Sequence, residues 1–261
     1  MNETEYIEYR KRQAGELTAL FHKAISENEI VKNRIVFSSF EGDGGYSCNP
    51  KYIAEELIRR GGYEIVWLTH EPNKHNFPKE IRVKKDTIEN QVYWLSTARI
   101  WIDNYRKPWG TVKRKEQIYI QTWHASIGFK AVGLYRGNKF PQIARLVSEA
   151  DSSLIDYVIS NSEYCDRIYP KKLLYNGKTI RSGSPRCDCL INNKKELHKK
   201  IREQYDIPQD VKIILYAPTF RGGTQKSEKN VSVGISTLKF ENIKKELSCK
   251  FCGEWFVLLR L

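Results

Sequence analysis

The chain has 261 residues, of which 44 are Lys or Arg and 31 are Asp or Glu, giving a formal charge of +13. That length can bury one large core or two small ones, and 12% aromatic residues exclude a disordered tail. No run of about 18 apolar residues is present to suggest a transmembrane helix. Met1-Asn2-Glu3-Thr4-Glu5 lacks the basic and apolar regions of a signal peptide, so a cytoplasmic location is expected. The excess of positive charge favours anionic partners: nucleic acid, lipid headgroups or a phosphate polymer.

Residues 1–30 read as an N-terminal helical segment. Leu17, Leu20, Phe21, Ala24 and Ile25 recur at helical spacing, and Gly15 marks a point where one helix can become two. With six acidic against four basic residues, this segment suits packing on the domain behind it better than anchoring to an anionic membrane.

Residues 31–185 then alternate strands and helices. Strands are expected at 35–40, 63–69, 81–84, 100–103, 118–120, 157–160 and 179–181, and helices at 50–60, 89–99, 140–148 and 163–169. Asn49 is placed to cap the first of these helices, with Pro50 in its first turn, and Ser162 to cap the last. Strands separated by helices predict a parallel sheet covered on both faces, a Rossmann-like domain. The loop Gly42-x-Gly44-Gly45 is not a dinucleotide fingerprint. It reads either as a tight turn needing positive φ or as a cradle of backbone amides for phosphate. Residues 105–116 place Arg106, Lys107, Lys113, Arg114 and Lys115 around Trp109, a pattern suited to a headgroup-facing loop or to a solvated basic one.

A second alternation occupies residues 186–261, with a charged helix at 194–205, a strand at 212–219, a polar loop at 221–234, a helix at 238–247 and a strand at 254–261. The six cysteines are expected as reduced thiols. Cys187-x-Cys189 and Cys249-x-x-Cys252 have zinc-knuckle spacing, but they lie some sixty residues apart in unlike elements, so no metal site is expected from them.

The strand at 118–120 runs straight into Gln121-Thr122-Trp123-His124. A histidine at the carboxyl end of a parallel strand faces the ligand crevice, titrates near neutral pH and can take a proton from a hydroxyl. The plainer alternative is a ring that ties a loop to the backbone.

Five segments, in order and spacing, resemble the CDP-glycerol glycerophosphotransferases, the polymerases and primases of teichoic acid and related capsule synthesis. They are Phe40-Glu41-Gly42 with Asn49-Pro50-Lys51; Trp101-Ile102-Asp103-Asn104; Gln121-Thr122-Trp123-His124 with Gly128 and Lys130; Gly183-Ser184-Pro185-Arg186-Cys187-Asp188; and Tyr216-Ala217-Pro218-Thr219-Phe220-Arg221. The resemblance implies an α/β, GT-B-type pair of Rossmann-like domains. The acceptor-side domain at 31–185 would be complete. The CDP-polyol-binding domain at 186–261 would be partial, because about 75 residues follow Arg186 where such domains take about 100–200.

It further implies transfer of glycerol phosphate, or another polyol phosphate, from a CDP ester to a hydroxyl of a lipid-linked polymer, with His124 as general base. By the same resemblance, Gly42, Asp103, Asn104, Ser126 and Lys130 are acceptor or phosphate contacts, and Arg186, Thr219 and Arg221 are donor contacts. Asp103 and Asn104 could also orient the histidine, and Arg186 could instead pair with Asp188. No cofactor is expected: Asp-x-Asp, the usual mark of a divalent metal, is absent from the sequence, so basic groups and helix termini would carry the phosphate charge. The implied site of action is the inner face of the membrane, on an anionic surface.

Two departures stand out. Ala125-Ser126 follow the histidine where the family has Gly-Thr, and the sequence stops just before the second functional histidine that the strand at 257–261 leads to in the family. A chain truncated there would have little turnover. Three other functions compete: a nucleic-acid binder, against which no helix-turn-helix, zinc-finger or RNP-type segment appears; a nucleotide-sugar glycosyltransferase; and a noncatalytic remnant that binds acceptor.

Overall fold

A computed structural model describes residues 2–125, 131–209, 211–216 and 255–259. The expected loop at 221–234 and helix at 238–247 lie outside them, as do Cys249 and Cys252. The chain divides into two compact units, Met1–Asp188 and Cys189–Leu261.

The first unit opens with α1 (Glu3–Glu27), started by a capping box in which the Asn2 side chain accepts from Glu5 N–H and the Glu5 side chain accepts from Asn2 N–H. It is one helix: Gly15 sits inside it without a break. Ile7, Ala14 and Phe21, one per two turns, form its buried stripe. The helix lies against the loop before the fifth strand. Thr18 Oγ1 donates to the Gly110 carbonyl at 3.0 Å, and a Cβ at Gly110 (φ +102) would meet the Ala14 carbonyl oxygen at 2.3 Å.

The alternation follows: β1 (Val31–Ser38), α2 (Cys48–Arg60), β2 (Glu64–Thr69), β3 (Ile81–Lys85), α3 (Ile88–Thr97), β4 (Ala98–Asp103), β5 (Ile118–Gln121), α4 (Gln142–Leu154), β6 (Tyr157–Ser160), α5 (Glu163–Lys172) and β7 (Lys178–Arg181). The seven strands form one parallel sheet in the order β3-β2-β1-β4-β5-β6-β7. Residues 34–38 and 65–69 are buried without alternation, as strands covered on both faces must be. Phe37 stacks on Trp67 with ring centroids 5.4 Å apart, and Trp101 packs on Tyr119 on the opposite side of the core.

Ser162 caps α5 as expected, its hydroxyl accepting from Cys165 N–H. The expected cap at Asn49 is corrected. Ser47 is the N-cap of α2, and Asn49 lies in the first turn with its side chain buried and turned elsewhere.

In the second unit, α6 (Asp188–Asn192, beginning at the end of the first unit) and α7 (Lys194–Gln204) precede β8 (Lys212–Tyr216), which pairs in parallel with β9 (Trp255–Leu259). Arg202 ties α7 to the following segment, donating to the carbonyls of Pro208 and Val211. These two strands form a second, parallel sheet. Among the described residues no helix is long and apolar enough to cross a membrane.

Candidate active site

The strand order reverses between β1 and β4, and in parallel sheets the crevice at such a reversal receives ligand at the carboxyl ends of the strands. Three chain segments leave the sheet there: the turn after β1 (Phe40–Gly42), Asn104 after β4, and His124 after β5. The parallel register places Asp103 beside Gln121, so the Asp-Asn and Gln-Thr-Trp-His segments are neighbours in space.

They lock together through hydrogen bonds. Thr122 donates both its N–H (2.7 Å) and its hydroxyl (3.0 Å) to the Asp103 carbonyl. Gln121 Oε1 accepts from Trp123 N–H at 2.9 Å, while its Nε2 donates to the Tyr105 carbonyl and the Tyr119 hydroxyl. His124 Nδ1 lies 2.7 Å from the Asn104 carbonyl. A carbonyl can only accept, so Nδ1 carries the proton and the neutral ring keeps its lone pair on Nε2. Among the described residues Nε2 has no hydrogen-bond partner.

The ring is half-buried beside Phe40, Tyr105 and Trp123, at centroid distances of 5.1, 6.0 and 4.4 Å. Burial, then the charges of Arg186 and Arg106, hold its pKa below the ordinary histidine value. The Asn104 carbonyl and Asp103 oppose that shift.

Backbone strain concentrates here. Of six non-glycine residues with positive φ among the described residues, four flank this site: Phe40 (φ 48), Glu41 (φ 55), Cys48 (φ 59) and Trp123 (φ 48). Each costs of order 1–3 kcal/mol and persists only where its surroundings over-determine it. Trp123 is held on both sides, its N–H by Gln121 and its carbonyl by Asn49 Nδ2 at 3.1 Å.

The other site residues named from the sequence fall in different places. Asn104 holds the histidine through its backbone carbonyl and the turn after β1 through its side chain, whose Oδ1 accepts from Phe40 N–H at 2.8 Å. Asp103 does not reach the ring or the crevice. It is buried, one oxygen accepting from the N–H groups of Asn104 and Tyr105 and the other paired with Lys107 Nζ at 2.6 Å. Its expected role as an acceptor contact is corrected to that of a turn anchor, since both oxygens are satisfied inside the fold.

The reading of the Gly42 loop as a phosphate cradle is corrected too. The amides of Gly42 and Gly44 donate to the Ser39 carbonyl and that of Asp43 to the Phe40 carbonyl, so they are spent on the turn. Gly42 itself is required by φ +88, and a Cβ there would sit 2.6 Å from Asp86 Oδ2.

Arg186 reaches the site. Its Nη2 donates to the His124 carbonyl at 2.9 Å, its Nη1 lies 3.3 Å from Cys48 Sγ, and its N–H donates to Asn49 Oδ1 at 3.2 Å. Ser126, Lys130, Thr219 and Arg221 lie outside the described residues.

Much of the basic segment at 105–116 is engaged within the fold, with Lys115 exposed. Lys107 is buried on Asp103, Lys113 pairs with Asp156 at 3.0 Å, and Arg106 stacks over Trp123. Arg114 donates to the Ile25 and Asn28 carbonyls at the end of α1, where a helix leaves acceptors unpaired. Sequence reasoning also missed the roles of Asn49, Tyr105 and the Gln121 side chain. Placing β4 beside β5 would have exposed the last two.

A small polar recess opens beside the imidazole, lined by His124, Asn49, Thr122, Asn161, Tyr169 and Ser184. A neutral histidine with a fixed tautomer, at the mouth of a crevice at a strand reversal, is suited to take a proton from a hydroxyl.

Residues 20–251 match the profile of the family described as CDP-Glycerol:Poly(glycerophosphate) glycerophosphotransferase. This chain belongs to that family. It is 30% identical to a teichoic acid poly(glycerol phosphate) polymerase of Staphylococcus epidermidis over 96% of its own length and 35% of the relative's. The polymerase of the same description from Bacillus spizizenii is also 30% identical, over 87% of this chain and 58% of that one. The chain thus spans about a third to three fifths of the curated relatives it matches.

In structure it is similar to the wall teichoic acid polymerase TagF, with a TM-score of 0.75 and 28% identity over 99% of this chain and 63% of TagF. A TagF variant soaked with CDPG gives the same TM-score at 27% identity. The α/β, GT-B-type class expected from the sequence holds for this family member.

Proposed function

We propose that the chain transfers glycerol phosphate from CDP-glycerol to a terminal hydroxyl of a lipid-linked teichoic acid polymer, with His124 as general base. The observation that carries this reading is the bond from Nδ1 to the Asn104 carbonyl, which keeps the ring proton on Nδ1 and the lone pair on Nε2. In the reaction the acceptor hydroxyl gives its proton to Nε2 and its oxygen bonds to the glycerol-bearing phosphorus. The bridging P–O bond breaks, and CMP leaves with the electron pair. The imidazolium that forms is stabilised by the Asn104 carbonyl. The nearby guanidinium groups of Arg186 and Arg106 add positive charge where phosphate charge must be neutralised. Ser126 and Lys130 are proposed as acceptor contacts, and Thr219 and Arg221 as donor contacts, from the family motifs alone.

The test is CMP release from CDP-glycerol in the presence of a lipid-linked glycerol phosphate primer, carried out on a chain with a full second domain. His124→Ala should lower turnover by about 10²–10⁴, the range of a general base, without changing the circular dichroism spectrum. Turnover at the wild-type rate would remove His124 as the base. The net charge of +13 supports work at an anionic membrane surface. Flotation with anionic liposomes should then weaken as salt rises, and flotation indifferent to salt would argue against it.

A further inference from the structure

Asn49 is buried within the first turn of α2, yet its side chain serves three groups outside that helix. Nδ2 donates to the carbonyls of Thr122 (3.3 Å) and Trp123 (3.1 Å), and Oδ1 accepts from Arg186 N–H (3.2 Å). The orientation of the amide is dictated by its partners, since two are obligate acceptors and one an obligate donor. Asparagine meets this demand: aspartate of the same shape would turn a carboxylate oxygen on two carbonyls, and leucine would remove all three bonds, leaving the Trp123 carbonyl only the Thr122 hydroxyl at 3.2 Å.

The bonds converge on the strained element of the site. Trp123, at φ 48, sets the direction in which the next residue, His124, leaves the sheet. The His124 carbonyl is then taken by Arg186 Nη2 at 2.9 Å. Asn49 and Arg186 therefore link α2, the turn after β5 and the turn after β7 into one clasp.

We infer that Asn49 is a positioning residue: through the Thr122 and Trp123 carbonyls, and braced by Arg186, it holds His124 with Nδ1 on the Asn104 carbonyl and the lone pair on Nε2. This rests on the reading of His124 as the base, but its test does not. The imidazole nitrogens of His124 are observed by long-range proton–nitrogen NMR on the whole chain, assigned by loss of the signal in His124→Gln. The wild-type ring should show a single tautomer protonated at Nδ1. In Asn49→Asp, which keeps the side-chain shape, and in Asn49→Ala, the ring should become a mixture of tautomers and its titration should move up toward ordinary histidine. In the CMP-release assay kcat should fall about a hundredfold, the cost of a misplacement near 1 Å, with KM changed less than threefold.

An unchanged tautomer and titration in a folded Asn49→Asp protein would overturn the inference. So would loss of the whole fold in both variants, which would make Asn49 a scaffold residue. If His124→Ala keeps its turnover, the base assignment falls while the ring measurement still decides the role of Asn49.

Discussion

Replacing Lys107 by methionine should destabilise the first unit severely, although the residue is a lysine in a basic surface-like segment. Its ammonium lies 2.6 Å from Asp103 Oδ2, with the two side chains 7% and 3% exposed. Removing one partner of such a pair leaves an uncompensated buried charge, a cost of about 3–5 kcal/mol. The other Asp103 oxygen keeps its bonds from Asn104 and Tyr105 N–H, which puts the expected loss near the lower end, about 3 kcal/mol. At roughly 2–4 °C per kcal/mol for a unit of this size, Tm should drop by about 6–12 °C, followed by circular dichroism.

The double variant Lys107→Met with Asp103→Asn should recover most of that loss, since no charge is then buried alone. It should also keep the His124 tautomer, because Thr122 and His124 are held by backbone carbonyls that neither substitution removes. A Lys107→Met protein within 1 kcal/mol of wild type, or a double variant less stable than the single one, would refute this account.

Because burial lowers the His124 pKa, the acid limb of the turnover–pH profile should fall below pH 6.5; an apparent pKa above 7 would contradict the site geometry. The same shift makes the stability contribution of His124 full above its unfolded pKa of about 6.5 and lost as pH falls through the lower folded value, which comparison with His124→Gln from pH 7 to pH 5 can measure. Burial pushes Asp151 up from 3.8 to about 7, so its contribution is full below the unfolded pKa and lost as pH rises through 7. Asp151→Asn keeps the acceptor for Lys107 N–H and should gain on wild type by up to about 4 kcal/mol between pH 4 and pH 8. A pH-independent difference in denaturant midpoint would sink that assignment. Gly42→Ala should cost about 1–3 kcal/mol, since its φ of +88 is retained and its Cβ meets the buried Asp86 carboxylate; an unchanged Tm would show the turn relaxing.

Much of the first unit was legible in the sequence because its signals are local. Apolar runs such as Ile35-Val36-Phe37 and Ile65-Val66-Trp67-Leu68 declare buried strands, Ser162 declares a helix start, and the apolar run ahead of His124 places that residue at a strand's carboxyl end. What failed did so where partners come from distant parts of the chain. Asn49 has the local credentials of a cap, but the carbonyls it serves lie more than seventy positions away. Lys107, Lys113 and Arg114 read as solvent-facing until the fold brings Asp103, Asp156 and the end of α1 against them. Gly42 announced positive φ but not where its amide would turn. Residue type and spacing thus determined which elements form and which histidine stands at a strand's carboxyl end. Only tertiary structure decided its tautomer and which polar groups are spent holding it, because a hydrogen bond depends on the direction of both partners and a sequence specifies one at a time.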